Sequence, residues 1–159
     1  MGKVVAAAEL QKIREALRAE KKTAVFTNGC FDLIHRGHIE YLTHAKALGD
    51  VLIVGVNDDA GVSRLKGKGR PIVAEDDRAY IVANLAPVDY VCLFTEDTPL
   101  ELIGAIVPDV LVKGADWKLD DIVGKEIVER AGGRVATIPF VAHRSTTGII
   151  DRIIERFSR

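Results

Sequence analysis

Two histidines, His35 and His38, stand three residues apart with Gly37 between them, inside the string Thr27-Asn28-Gly29-Cys30-Phe31-Asp32-Leu33-Ile34-His35-Arg36-Gly37-His38. Imidazoles donate hydrogen bonds and change charge near neutral pH, so a pair of them at one rim suits an anion. The glycine lets backbone approach a ligand where a Cβ would obstruct it. An apolar run, Ala24-Val25-Phe26, leads into the string, and an amphipathic run from His38 to about Gly49 leads out. The layout is strand, glycine-bearing loop, helix. In an open parallel sheet that junction aims backbone N–H groups and a positive helix end at one point above the strand, and such a point favours phosphate. A strand–glycine–helix junction alone is common to α/β domains; the Phe-Asp and the two histidines make this one specific.

Three other clusters carry polar chemistry: Asn57-Asp58-Asp59, Lys113-Gly114-Ala115-Asp116-Trp117, and Ser145-Thr146-Thr147. Each follows an apolar run or opens a helical one. The hydroxyls of the last, with the free N–H groups of a helix start, can cap the helix or hold phosphate. A basic, glycine-rich segment, Arg64-Leu65-Lys66-Gly67-Lys68-Gly69-Arg70-Pro71, lacks the spacing of a Walker loop or of a dinucleotide fingerprint, and reads as a loop able to close on polyphosphate. His44 and His143 read as surface residues. There is no Ser-His-Asp arrangement and no carboxylate pair to act as acid and base.

The elements that must position these groups alternate. Val4 to Glu20 has Leu10, Ile13 and Leu17 at helical spacing and predicts an N-terminal helix, read as a packing or assembly element and so as a homodimer contact. Val51 to Val56 is a continuous apolar run, as in a strand buried on both faces. Further strands are expected at Tyr90–Leu93, Val110–Val112 and Val135–Ile138, and helices at 75–86, after Pro99, at 122–131 and after Ser145. Ile149, Ile150, Ile153, Ile154 and Phe157 predict a last helix packed on the sheet. The fold class is therefore α/β, a single doubly wound parallel sheet of about five strands with an extra N-terminal helix. In such sheets the carboxyl ends of the strands converge on one crevice.

Composition narrows the partners. Apolar residues make up 48% of 159, enough for one domain with a sizeable core. A net charge of −1 gives no general field for nucleic acid, so the basic clusters serve something small. Cys30 and Cys92 are far apart and in no metal spacing, which fits a reducing compartment and no structural zinc. No apolar run spans a bilayer, no signal peptide pattern is present, and Ala6 stands where a myristoylation signal wants Ser or Thr. A cytoplasmic protein without membrane or nucleic-acid partners is expected.

Phe-Asp-x-x-His-x-Gly-His after a first strand resembles the signature of the cytidylyltransferase-like nucleotidyltransferases. The resemblance continues through Val56 to Ala60, Arg64 to Pro71, Glu96 to Pro99, Pro108 to Asp116 and Ser145 to Ile150, and covers about Thr23 to Phe157. Within that group the string of motifs is similar to the heptose 1-phosphate adenylyltransferases, freestanding or as the carboxy-terminal half of a bifunctional enzyme, and a protein without the sugar-kinase half is expected. The resemblance implies a nucleotidyltransferase domain over 23–159 preceded by the helix of 1–22. It implies transfer of AMP from ATP, carrying Mg²⁺, to a sugar 1-phosphate, for lipopolysaccharide core synthesis. It implies that His35 and His38, with Lys66, stabilise charge on the phosphates. Thr27, Asn28, Gly29, Cys30, Phe31, Asp32 and Gly37 would lie along the nucleotide, Asp32 supporting the loop. Asp116 would approach the nucleoside, and Ser145, Thr146 and Thr147 the β/γ end. Arg70 and Arg78 are the candidates for the acceptor phosphate, and no metal is held by the protein itself. One departure stands out: relatives place an Arg-Thr pair before the Ser-Thr-Thr turn, where this chain has Pro139-Phe140-Val141-Ala142, and the nearby arginine is Arg144. A sister transferase acting on glycerol 3-phosphate or FMN, and a nucleotide-binding regulator without catalysis, are the alternatives; a passive binder has no need of the histidine pair.

Overall fold

The computed structural model describes residues 1–115, 118–139 and 144–158. In chain order the elements are β1 (Lys3–Val4), α1 (Ala7–Ala19), β2 (Ala24–Gly29), α2 (Arg36–Lys46), β3 (Val51–Asn57), α3 (Asp59–Lys66), α4 (Glu75–Ala83), β4 (Tyr90–Phe94), α5 (Leu100–Ile106), β5 (Val110–Gly114), α6 (Lys125–Arg130), β6 (Arg134–Ile138) and α7 (Thr146–Phe157). The six strands form one sheet in the order β1-β4-β3-β2-β5-β6, and every pairing is parallel. From β2 the chain winds outward through β3 and β4, then returns to β2's other side with β5. The crevice between β2 and β5 is thus the point where the winding reverses, the place such sheets reserve for ligands.

The sheet's interior explains its strand sequences. All seven residues of β3 are buried, and its side chains alternate between two cores. Leu52, Val54 and Val56 pack on one face with Tyr41, Leu42 and Ala45 of α2 and Val82 of α4. Val51 and Ile53 pack on the other with Leu10 and Leu17 of α1, Ile103 and Ile106 of α5, and Val128 of α6. Full burial of each such side chain contributes roughly 1.5–3 kcal/mol, which makes the central strands the rigid base of the crevice. Among the described residues no helix is long and apolar enough to cross a membrane.

Four local expectations are corrected. Val4 belongs to a short edge strand, β1, paired with Val91 of β4, and the helix starts only at Ala7; two residues give no periodicity to read. Arg64, Leu65 and Lys66 form the last turn of α3 instead of a loop, and the chain leaves the helix at Gly67 with φ +91°. Lys113 lies inside β5, not beyond it. The last helix is not packed on the sheet: no residue of α7 is buried, and Ile153, Ile154 and Phe157 are 50%, 55% and 77% exposed. Its apolar stripe is real, but helical spacing specifies a face and not what covers it.

Candidate active site

A cleft of about 580 Å³ opens at the carboxyl ends of β2, β3 and β5. Its floor is the signature loop, which leaves β2 through Asn28 and Gly29 and enters α2 at Arg36. Phe31 turns the chain with φ +48°, a left-handed conformation that a bulky side chain avoids at a cost of about 1–3 kcal/mol. A Cβ on Gly29 would sit 3.1 Å from the Phe31 ring, so a larger residue there would press on that ring. Asp32, fully buried at its carboxylate, ties the loop to the segment before α4. It accepts from Arg70 Nε at 2.5 Å, from the Ile72 N–H at 2.8 Å and from the Val73 N–H at 2.9 Å.

The two histidine rings stack, with centroids 3.9 Å apart and planes 21° from parallel, and Phe31 lies 5.4 Å from His38. Burial, then the neighbouring Arg144, pushes the His35 imidazole below its usual pKa. Burial, then His35, pushes His38 down to about 4. Both rings are therefore neutral near pH 7 and still able to donate. His38 Nδ1 accepts from the His35 backbone N–H at 3.4 Å, which assigns its proton to Nε2. Gly37 is buried, and a Cβ there would meet His35 Nδ1 at 3.0 Å and Arg144 Cβ at 3.3 Å. The close approach it permits is of the His35 ring and of Arg144 to the glycine itself.

A stability consequence follows from His38. Its folded pKa lies below the unfolded value of about 6.5, so the unfolded chain takes up a proton before the folded one does. The contribution of the neutral ring is present above pH 6.5 and is lost as pH falls towards 4. Denaturant midpoints measured from pH 7 to pH 4 should fall, and the fall should be shallower in His38→Gln. Equal slopes in the two proteins would contradict the burial of this ring.

Among the described residues four cations line the cleft: Lys66 at the end of α3, Arg70, Lys113 on β5 and Arg144 ahead of α7. Lys113 Nζ donates to Asn28 Oδ1, joining the two strands on either side of the crevice. Arg70 makes its Nε bond to Asp32 and lines the cleft. The amino ends of α2 and α7 open on the same space, and Ser145, Thr146 and Thr147 line it. Ser145 Oγ caps α7 by accepting from the Gly148 N–H at 3.0 Å, and Thr146 Oγ1 donates to the Leu33 carbonyl at 3.3 Å, anchoring that helix end to the signature loop. Cys30 borders the cleft as a neutral thiol, since burial pushes its pKa up.

Two expected ligand residues sit elsewhere. Thr27 lies fully buried under the floor, its hydroxyl 2.7 Å from that of Tyr41, so it braces a cleft residue instead of facing the cleft. Arg78 is corrected from an acceptor-binding to an internal role: it is fully buried, and its guanidinium donates to the carbonyls of Val73 and Cys30 and to Asp59. Asp116 lies outside the described residues, as do Trp117, His143 and the segment 140–142. Sequence reasoning put Asn57 and Lys113 in polar clusters at the crevice without giving either a role, and missed Tyr41 and Leu65 as cleft residues. Lys113 carried a usable signal, a lysine at the end of an apolar strand, whereas Tyr41 read only as core.

Among the described residues Asp32 is the one carboxylate lining the cleft, and its oxygens already accept from Arg70, Ile72 and Val73. No three His, Cys, Asp or Glu side chains among the described residues come together as a metal cage. This donor set fits a divalent ion that arrives on phosphates and keeps its waters, as Mg²⁺ does.

The family described as cytidylyltransferase-like matches residues 26–151. The bifunctional protein HldE of Trichlorobacter lovleyi is 55% identical over 149 residues, covering 94% of this chain and 30% of its own. That of Magnetococcus marinus is 57% identical over 135 residues, covering 85% and 28%. The chain thus spans about 30% of the length of these curated relatives. Among solved structures, a lipopolysaccharide core biosynthesis protein from Thermoplasma volcanium aligns with TM-score 0.63 and 31% identity, covering 77% of this chain and 99% of its own. Pantothenate synthetase from Thermus thermophilus aligns with TM-score 0.58 at 16% identity, a likeness of fold alone, covering 89% of this chain and 62% of its own.

Proposed function

The chain belongs to the cytidylyltransferase-like family and is a nucleotidyltransferase, and from that premise we propose that it transfers AMP from MgATP to a heptose 1-phosphate, giving ADP-heptose and pyrophosphate. The observation that carries this reading is the convergence of the stacked His35 and His38, two helix amino ends and the cations Lys66, Arg70, Lys113 and Arg144 on one crevice. Two likenesses support the heptose and lipopolysaccharide branch of the family: relatives at 55% identity named HldE, and the lipopolysaccharide core biosynthesis protein of Thermoplasma volcanium.

The chemistry needs no more than these groups. The attacking phosphate monoester has a second pKa of about 6, so at pH 7 it is mostly a dianion and requires no general base. The protein has to bring two anions into line and neutralise the charge that spreads over the transferring α-phosphorus. His38 donates from Nε2 and His35 from its own ring N–H to the phosphate oxygens. Lys66 holds the β/γ end with the hydroxyls of Ser145, Thr146 and Thr147. Arg70 faces the acceptor's phosphate, held there by Asp32. Arg144, set against His35, takes the place of the arginine that relatives carry before the Ser-Thr-Thr turn. Mg²⁺ on the ATP phosphates supplies further charge neutralisation.

The test offers purified protein MgATP with heptose 1-phosphate, glycerol 3-phosphate and FMN in parallel, and follows pyrophosphate. Heptose 1-phosphate should be preferred. Preference for either of the others would move the acceptor and leave nucleotidyl transfer standing. Silence with all three would favour a nucleotide-binding regulator.

A further inference from the structure

The floor of the cleft is gripped from behind by a side chain that never reaches the cleft. Arg78 of α4 is fully buried, and its guanidinium meets three acceptors from three segments. Nη1 donates to the Cys30 carbonyl at 2.6 Å, Nε to the Val73 carbonyl at 2.9 Å and Nη2 to Asp59 Oδ1 at 2.7 Å. The first bond crosses 48 residues of sequence and reaches the centre of the signature loop.

That bond fixes a peptide plane. The Cys30–Phe31 peptide is trans, so its C=O and N–H point to opposite sides. With the carbonyl held on the buried Arg78, the Phe31 N–H points away from that guanidinium, and both Cys30 and Phe31 line the cleft. Among the described residues this N–H has no acceptor. Phe31 itself sits at φ +48°, a conformation that a bulky side chain keeps only where its surroundings hold it. A charge-assisted bond from a side chain that is itself pinned at two further points is a strong restraint on the peptide.

We infer that Arg78 is a positioning residue for the transfer reaction, holding the Cys30–Phe31 peptide so that the Phe31 N–H faces the cleft as a donor to the nucleotide's phosphates. The inference rests on the reading of the cleft as a nucleotide site. It separates Arg78 from the residues that touch substrate, and it explains why an arginine is buried on the core side of a site whose ligand is anionic. A guanidinium reaches carbonyls and a carboxylate at once; a lysine at the same place reaches fewer of them.

The test uses the full chain labelled with ¹⁵N and titrated with MgATP, in wild type, Arg78→Lys and Asp59→Asn. In wild type the Phe31 amide should move downfield more than other amides of the signature loop. In Arg78→Lys that movement should vanish while Ser145 and Gly148 still respond, and kcat should fall by about 10²-fold, the scale of losing one preorganised donor, with a smaller change in KM. Asp59→Asn loosens the seat of the guanidinium but leaves both carbonyl bonds, so it serves where Arg78→Lys does not fold; its Phe31 response should lie between the other two. An unchanged Phe31 response in the variants overturns the inference. So does a Phe31 amide that stays still in wild type while other cleft amides move, and that result leaves the nucleotide site intact. If no cleft amide responds to MgATP, the nucleotide reading and the inference fall together.

Discussion

His38→Ala should lower turnover by about 10²–10³-fold, the cost usually seen when one preorganised donor to a developing charge is removed, and His35→Ala should behave alike. The rings stack at 3.9 Å, so each orients the other, and neither belongs to the two apolar cores. Folding should therefore survive, and circular dichroism and the denaturant midpoint should remain close to wild type. The effect should fall on kcat more than on KM for ATP, since charge on the transferring phosphoryl group is greatest in the transition state. The double variant should cost less than the product of the two single losses, because the rings act as one unit. Turnover near wild type in either single variant would mean that the phosphate rim lies elsewhere.

The second large effect is on stability. Asp32→Ala should cost about 3–5 kcal/mol, the range for removing one partner of a buried ion pair. The carboxylate is fully buried, while Arg70 keeps 14% of its side chain exposed and can recover some hydration. Two backbone donors, the N–H groups of Ile72 and Val73, lose their acceptor at the same time. Asp32→Asn keeps the shape and one acceptor oxygen and should fall between wild type and alanine. Urea unfolding measures all three. A loss below about 1 kcal/mol in Asp32→Ala would place this carboxylate among ordinary surface groups, whose substitutions rarely exceed 0.5 kcal/mol.

That the signature residues gather at one strand–helix junction was legible because their signals are local. His35, Gly37 and His38 lie within one turn of chain, and a loop between a buried strand and an amphipathic helix in a parallel sheet opens at the carboxyl ends of the strands, where ligands gather. The same holds for Ser145, whose hydroxyl caps α7 as its type and position suggest. What escaped depends on partners distant in sequence. Arg78 reads as a surface arginine near a helix start, the commoner case, and only its bond to the carbonyl of Cys30 reveals the buried role. Lys113 gains its place through Asn28, across the sheet. The strand β1 exists only as a ladder to β4. The apolar stripe of α7 predicted burial, and the described structure leaves it at the surface, because periodicity records a preference for an interface without naming one.

In the proposed reaction the α-phosphorus of ATP is attacked and pyrophosphate leaves. Phosphorus NMR of purified protein with MgATP and heptose 1-phosphate tests this directly, since each product has its own signals. The expected result is pyrophosphate and a sugar-linked ADP appearing in equal amounts as ATP disappears, with neither formed in His38→Ala on the same timescale. Appearance of ADP with a doubly phosphorylated sugar would show attack at the γ-phosphorus and contradict the account.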